Sequence, residues 1–219
     1  MAARALSRRY VRRECASGLE PSESVGSFDA LSAAIEARDP YARGHSSRVT
    51  VFAQAMAKRI GFDKERLTVL RLGALLHDVG KLAVPPAILL KPGPLSEEEF
   101  ARVRRHPLAG VRMLRSLDVP HEVLPSVLHH HERWDGGGYP RGRTGERIPL
   151  EARILTVADS FDAMTSIRPY RAPRSPDSAL DELRRCAGSQ FDPDLVVAFV
   201  EAWSEHELGL LVWQEAAAS

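Results

Sequence analysis

His77 and Asp78 stand side by side at the end of an apolar run, Leu75-Leu76-His77-Asp78-Val79-Gly80-Lys81. An imidazole nitrogen and a neighbouring carboxylate oxygen can bind one metal ion, and the carboxylate keeps a second oxygen that can bridge to another. Gly80 lets the chain leave a helix, and Lys81 brings an ammonium to any phosphate held there. Lysine is scarce, with Lys58, Lys64, Lys81 and Lys91 the only four among 30 basic residues, so Lys81 stands out. Further candidate ligands follow along the chain: His45, His106, the run His129-His130-His131, and Asp159. Adjacent helical residues point about 100° apart, so two of the three consecutive histidines can approach one centre near a helix end, and not all three. His121, His206 and one of that run, His129, are left aside. Nitrogen and oxygen donors without thiolate suit iron, manganese or zinc.

Helices must position these groups. Leu31, Ala34 and Ile35 follow helical spacing between Phe28 and Arg38, and Asp39-Pro40 closes that segment. His45 opens a second helix through Val49, Phe52, Ala53, Met56 and Ile60, which stops at Gly61. Asp63 is the expected N-cap of a third, whose Leu67, Leu70 and Ala74 share a stripe with His77. Ser96-Glu97-Glu98-Glu99 has the form of a capping box, and Pro107 breaks the helix after it, leaving His106 at a kink. Residues 121–131 form a helix that ends in the three histidines, and a glycine-rich loop, Trp134-Asp135-Gly136-Gly137-Gly138-Tyr139-Pro140, follows. Pro149 opens a helix carrying Ile154, Leu155, Ala158, Phe161 and Asp162. The carboxylate of Asp159 in it is costly to bury without a cation. Ser175-Pro176 and Asp192-Pro193 start two more helices. No strand-like alternation persists, so the fold class is all-α, a helical bundle with a metal centre in its core.

Composition fits that reading. Of 219 residues, 44% are hydrophobic and 27% charged, and the net charge is +1, which gives no global argument for a nucleic acid polymer as partner. No apolar run has the length of a membrane span or the form of a signal peptide, so the expected location is cytoplasmic. Cys15 and Cys186 are the only two cysteines and have no CxxC spacing, so neither a thiolate metal site nor a disulfide framework is expected. Residues 1–25 read as a basic arm and linker with Arg4, Arg8, Arg9, Arg12 and Arg13. Residues 26–205 form the domain, and 206–219 a tail.

Taken together, His77-Asp78 with Gly80-Lys81, His130-His131-Glu132 and the Gly138-Tyr139-Pro140 loop resemble the HD-GYP family of metal-dependent phosphohydrolases. Gly44-His45-Ser46, Lys91-Pro92-Gly93, His106-Pro107, Ala158-Asp159, Arg168-Pro169-Tyr170-Arg171 and Gln190-Phe191-Asp192-Pro193 resemble that family in the same order, over residues 28–203. The resemblance implies a bundle that hydrolyses cyclic di-GMP to linear pGpG, and whether a second cut gives GMP is left open. It implies that His45, His77, Asp78 and Asp159 hold one metal, and that Asp78 bridges to a second held by His106, His130 and His131. Three-metal members add a glutamate where this chain has Tyr41, so two divalent ions, iron or manganese, are expected. Ala42, where a threonine is common, is a further departure. Two such ions would activate a bridging water and stabilise charge on the phosphoryl oxygens. Asp78 and Lys81 are the expected catalytic residues. Tyr139, Arg168 and Arg171 would grip the substrate phosphates.

Two other readings compete. One is a phosphohydrolase for a different nucleotide, including another cyclic dinucleotide. The other is a non-catalytic receptor that binds cyclic di-GMP and signals by contact. Candidate protein partners are a diguanylate cyclase, a sensor protein, or a second copy of the chain as a homodimer.

Overall fold

A computed structural model describes residues 24–38, 43–117, 119–167 and 172–204. The basic arm through residue 23, Tyr41, Ala42, Arg168, Arg171 and the tail from 206 lie outside them. Among the described residues there are ten α-helices and no strand. They are α1 (Ser24–Glu36), α2 (His45–Arg59), α3 (Lys64–Leu76), α4 (Pro86–Leu89), α5 (Glu97–Val103), α6 (His106–Leu114), α7 (Leu124–His129), α8 (Leu150–Thr165), α9 (Pro176–Arg185) and α10 (Pro193–Ser204). The all-α bundle expected from the periodicity is therefore what forms. None of these helices is long and apolar enough to cross a membrane.

The helix boundaries follow local chemistry. Asp63 caps α3 by accepting from the Arg66 amide at 2.8 Å. Ser96 and Glu99 close a reciprocal capping box at the start of α5. Pro107 sits in the first turn of α6, where its missing N–H leaves no unfilled acceptor, so the chain breaks between Val103 and His106. The segment 121–131 divides into a 3₁₀ turn, His121–Val123, and the short α7, because Pro125 is tolerated only in a first turn.

Two apolar clusters hold these helices, and the candidate ligands lie between them. In one, the rings of Phe52, Phe161 and Phe199 pack with centroids 4.9 to 5.9 Å apart, tying α2, α8 and α10 together. In the other, Phe28, Leu72, Leu76, Val79, Leu114 and Val127 join α1, α3, α6 and α7. Burying rings and branched chains of this size contributes about 1.5–3 kcal/mol each. The first cluster carries His45 to α8, and the second carries His77 to α6 and α7.

Gly80 does more than release the chain from α3. It lies in a 3₁₀ turn, Val79–Ala83, pressed against the start of α6. A Cβ there would stand 1.8 Å from the His106 carbonyl oxygen and 2.5 Å from the Gly110 amide nitrogen. Only glycine lets this turn approach α6 closely enough to bring Asp78 beside His106. Gly80→Ala is therefore expected to cost about 1–3 kcal/mol through overpacking, seen as a fall of several degrees in the thermal midpoint. An unchanged midpoint would contradict the close approach.

Candidate metal centre

Three of the candidate histidines are oriented by the same device. His77 follows α3, His106 follows the end of α5, and His130 follows α7. Each donates Nδ1–H to the carbonyl three residues earlier: His77 to Ala74 at 2.6 Å, His106 to Val103 at 2.8 Å and His130 to Val127 at 2.8 Å. The last carbonyls of a helix have no partner within it, so they are ready acceptors. A carbonyl only accepts, which places the proton on Nδ1 and leaves Nε2 with an exposed lone pair. His45 begins α2 and is set differently. Its Nδ1 lies 2.7 Å from Asp162 Oδ2, and the Arg48 guanidinium holds the same carboxylate through Nε at 2.5 Å.

The Nε2 atoms converge on Asp78. His77 Nε2 is 3.4 Å and His45 Nε2 3.9 Å from Asp78 Oδ2, while His106 Nε2 is 3.4 Å and His130 Nε2 4.0 Å from Oδ1. Two compact donor sets result, His45–His77–Asp78 and Asp78–His106–His130–His131, each with its donor atoms within 4.8 Å of one another. Ligands about 2.0–2.2 Å from one ion are necessarily this close together. Asp159 approaches the first set through Oδ1, 3.4 Å from His45 Nε2, and lies outside the most compact grouping. Glu36 fixes the entry to α2 by accepting from the Gly44 amide at 2.6 Å and the Ser46 amide at 2.8 Å.

The donor set fits divalent cations on two observations. Asp78 Oδ1 is buried without a hydrogen-bond partner, a costly state for a carboxylate oxygen. The Nε2 atoms of His45 and His77 face each other at 3.3 Å, and those of His106 and His130 at 3.2 Å. With Nδ1 committed elsewhere, such pairs set lone pair against lone pair unless a cation or proton lies between them.

Proton affinities carry the same message. Burial alone would raise the Asp78 carboxyl, but the Lys81 ammonium, with Nζ 2.6 Å from Oδ2, and the surrounding imidazoles hold it well below the usual carboxylate range. Burial lowers His106, His130 and His131, the last two strongly, and keeps them neutral as metal ligands must be. For His45 burial also lowers, yet the hydrogen bond to Asp162 and the charges of Asp159, Asp162 and Asp78 win, and its imidazole is raised.

The glycine-rich loop forms the outer wall. Glu132, buried, accepts from the Arg141 amide at 2.8 Å and the Arg143 amide at 3.0 Å, with His129 Nδ1 3.3 Å away. Trp134 and Asp135 donate their amides to Gln190 and Ser189 at 3.1 and 2.8 Å. Gly138 lies against Arg133, where a Cβ would stand 2.3 Å from the amide nitrogen. So held, Tyr139 places its ring 4.9 Å from that of His131, and burial pushes its phenol up, so it stays protonated as a donor. A cavity of about 310 Å³ opens between this loop, α5 and α8, lined by His130, His131, Tyr139 and Asp159 among others. The sequence reading did not assign Asp162, Arg48 or Glu132 a role. All three act on a neighbour rather than on the centre.

Residues 29–195 match the HD-domain family. The chain is 41% identical over 179 residues to the cyclic di-GMP phosphodiesterase response regulator RpfG of Xanthomonas campestris, covering 81% of this chain and 47% of that protein. It is 40% identical to a cyclic di-GMP phosphodiesterase of Thermotoga maritima, covering 78% and 47%. It is 41% identical to a 3'3'-cGAMP-specific phosphodiesterase of Vibrio cholerae, covering 77% and 36%. The chain thus spans about half the length, or less, of these relatives. Among solved structures, a cyclic GMP-AMP specific phosphodiesterase of V. cholerae superposes with a TM-score of 0.65 at 20% identity, over 83% of this chain and 49% of that one. An HD-GYP-type protein of Bdellovibrio bacteriovorus gives 0.62 at 18%, over 93% and 68%. At these identities the superpositions establish the fold.

Asp162→Asn is expected to weaken metal binding about 10- to 100-fold, because an outer partner that orients a ligating imidazole is lost. In the metal-free protein it should also lower the pKa of His45, since the carboxylate that favours its cationic form is gone. Chelator competition and an imidazole NMR titration read the two effects, and a His45 that titrates as in the parent would contradict the assignment.

Proposed function

The chain belongs to the HD-domain family, in its HD-GYP subgroup, and on that premise we propose that it is a metal-dependent phosphodiesterase that hydrolyses cyclic di-GMP to linear pGpG or, by a second cut, to GMP. The observation that carries this is the pair of donor sets sharing Asp78, of which His130 and His131, with the nearby Asp159, line a cavity large enough for a nucleotide. His45, His77, Asp78 and Asp159 would hold one divalent ion, and Asp78, His106, His130 and His131 a second. Oxygen and nitrogen donors fit iron or manganese. When bound, such ions supply Lewis-acid polarisation of a phosphodiester oxygen and lower the pKa of water.

The chain's own residues do the rest. Lys81 places its ammonium at the Asp78 end of the centre, where it meets the negative charge of an incoming phosphodiester and the charge that grows on its oxygens. Tyr139, protonated, donates to a phosphoryl oxygen from the loop side. Arg168 and Arg171 are assigned from the sequence motif to the substrate phosphates. Asp162, Arg48 and Glu132 hold imidazoles and loop in position and touch no substrate. Cyclic di-GMP is favoured by the names of the X. campestris and T. maritima relatives, and another cyclic dinucleotide by that of the V. cholerae relative, which is equally similar.

Chelation should abolish hydrolysis, and manganese or ferrous iron added back anaerobically should restore it. Lys81→Met should lower kcat by roughly 100-fold with metal content unchanged. Chromatography of cyclic di-GMP and 3'3'-cGAMP reactions checks both and selects the substrate. Tight binding of intact cyclic di-GMP with no product from either would instead establish the receptor reading.

A further inference from the structure

We propose that the ring of Phe100, extended by the Arg104 guanidinium, is a platform on which a purine base of the substrate stacks, so that this pair positions the nucleotide against the metal centre. The inference rests on the phosphodiesterase reading above and adds a base subsite to it. Phe100 lies on α5, a helix with no buried residue, and is itself 47% exposed. Its ring contributes nothing to either core, yet it lines the same cavity as His130, His131 and Asp159. An exposed aromatic face beside a charged centre is costly in water and useful to a flat ligand.

Arg104 adds the second part of the surface. Its guanidinium carbon is 4.9 Å from the centroid of Tyr139 and 5.8 Å from that of Phe100, within reach of cation–π attraction to both rings. Guanidinium planes and aromatic rings are the surfaces on which unpaired bases stack, and a purine offers the larger face. The arrangement places a base on the α5 side of the cavity while its phosphate faces the histidines across it. Phe100 and Arg104 act here as positioning residues.

The test is equilibrium binding of GMP, cytidine 5'-monophosphate and inorganic phosphate to the manganese-loaded full chain, to Phe100→Ala and to Phe100→Trp. The parent should prefer GMP over both other probes. Phe100→Ala should reduce the GMP-to-phosphate affinity ratio by roughly tenfold, and Phe100→Trp should retain it. A parent with no preference for GMP, or an alanine variant with the parent's ratio, overturns the proposal, as does equal loss of GMP and phosphate, which would make the residue a support of the centre. Because these probes need no turnover, the outcome is separable from the activity. A chain that hydrolyses no cyclic dinucleotide but shows the Phe100-dependent preference loses the phosphodiesterase reading and keeps the platform.

Discussion

The whole structure depends on an electrostatic conflict that the protein chain does not resolve by itself. Four imidazoles turn Nε2 toward one carboxylate, two pairs of them within 3.3 Å of each other, and one oxygen of that carboxylate has no protein donor. Each imidazole has its other nitrogen committed, three to backbone carbonyls and one to Asp162, so none can turn away without losing a buried hydrogen bond. Cations relieve all of these contacts at once. The raised proton affinity of His45 and the lowered ones of His130 and His131 belong to the same conflict in the metal-free chain: positive charge is favoured beside Asp162 and Asp159, and at His130 and His131 it is opposed first by burial and then by the neighbouring imidazoles.

The fold supplies this constraint cheaply because it needs only helix ends. His77, His106 and His130 each occupy the position where a helix runs out of internal donors, and each fills a carbonyl that would otherwise need water. The two aromatic and aliphatic clusters then set the distances between ends. The Phe52–Phe161 contact at 5.2 Å fixes α2 against α8, and with it His45 against Asp159 and Asp162. Gly80 sets the other spacing by letting the Asp78 turn touch α6 backbone to backbone.

Much of this was legible in the sequence. Punctuation by Asp63, Ser96, Pro149, Ser175 and Pro193 gives helix starts that the structure reproduces, and the break read at Pro107 is the start of a separate helix, because caps and first-turn prolines act within one turn of chain. The ligand candidates were legible as residue types, and the structure gathers His45, His77, Asp78, His106, His130, His131 and Asp159 into one region. What stayed hidden depends on contacts distant along the chain. Asp162 lies 117 residues from His45 and reads locally as one acid on an apolar helix. Glu132 looks like a loop carboxylate until Arg141 and Arg143 return their amides to it. Gly80 reads as a helix exit because the α6 backbone it admits is absent from its own neighbourhood in sequence. Phe100 and Arg104 carry no motif, and only the cavity brings them beside Tyr139. Arg168 and Arg171 rest on sequence alone, outside the described residues.

The central claim is that Asp78 is shared by two metal ions. Anomalous diffraction from crystals of the manganese-loaded protein, recorded at the manganese edge, tests it most directly. Two peaks are predicted, each about 2.0–2.3 Å from a different Asp78 carboxylate oxygen, one among His45, His77 and Asp159 and the other among His106, His130 and His131. A single peak, or two peaks of which only one touches Asp78, would contradict it.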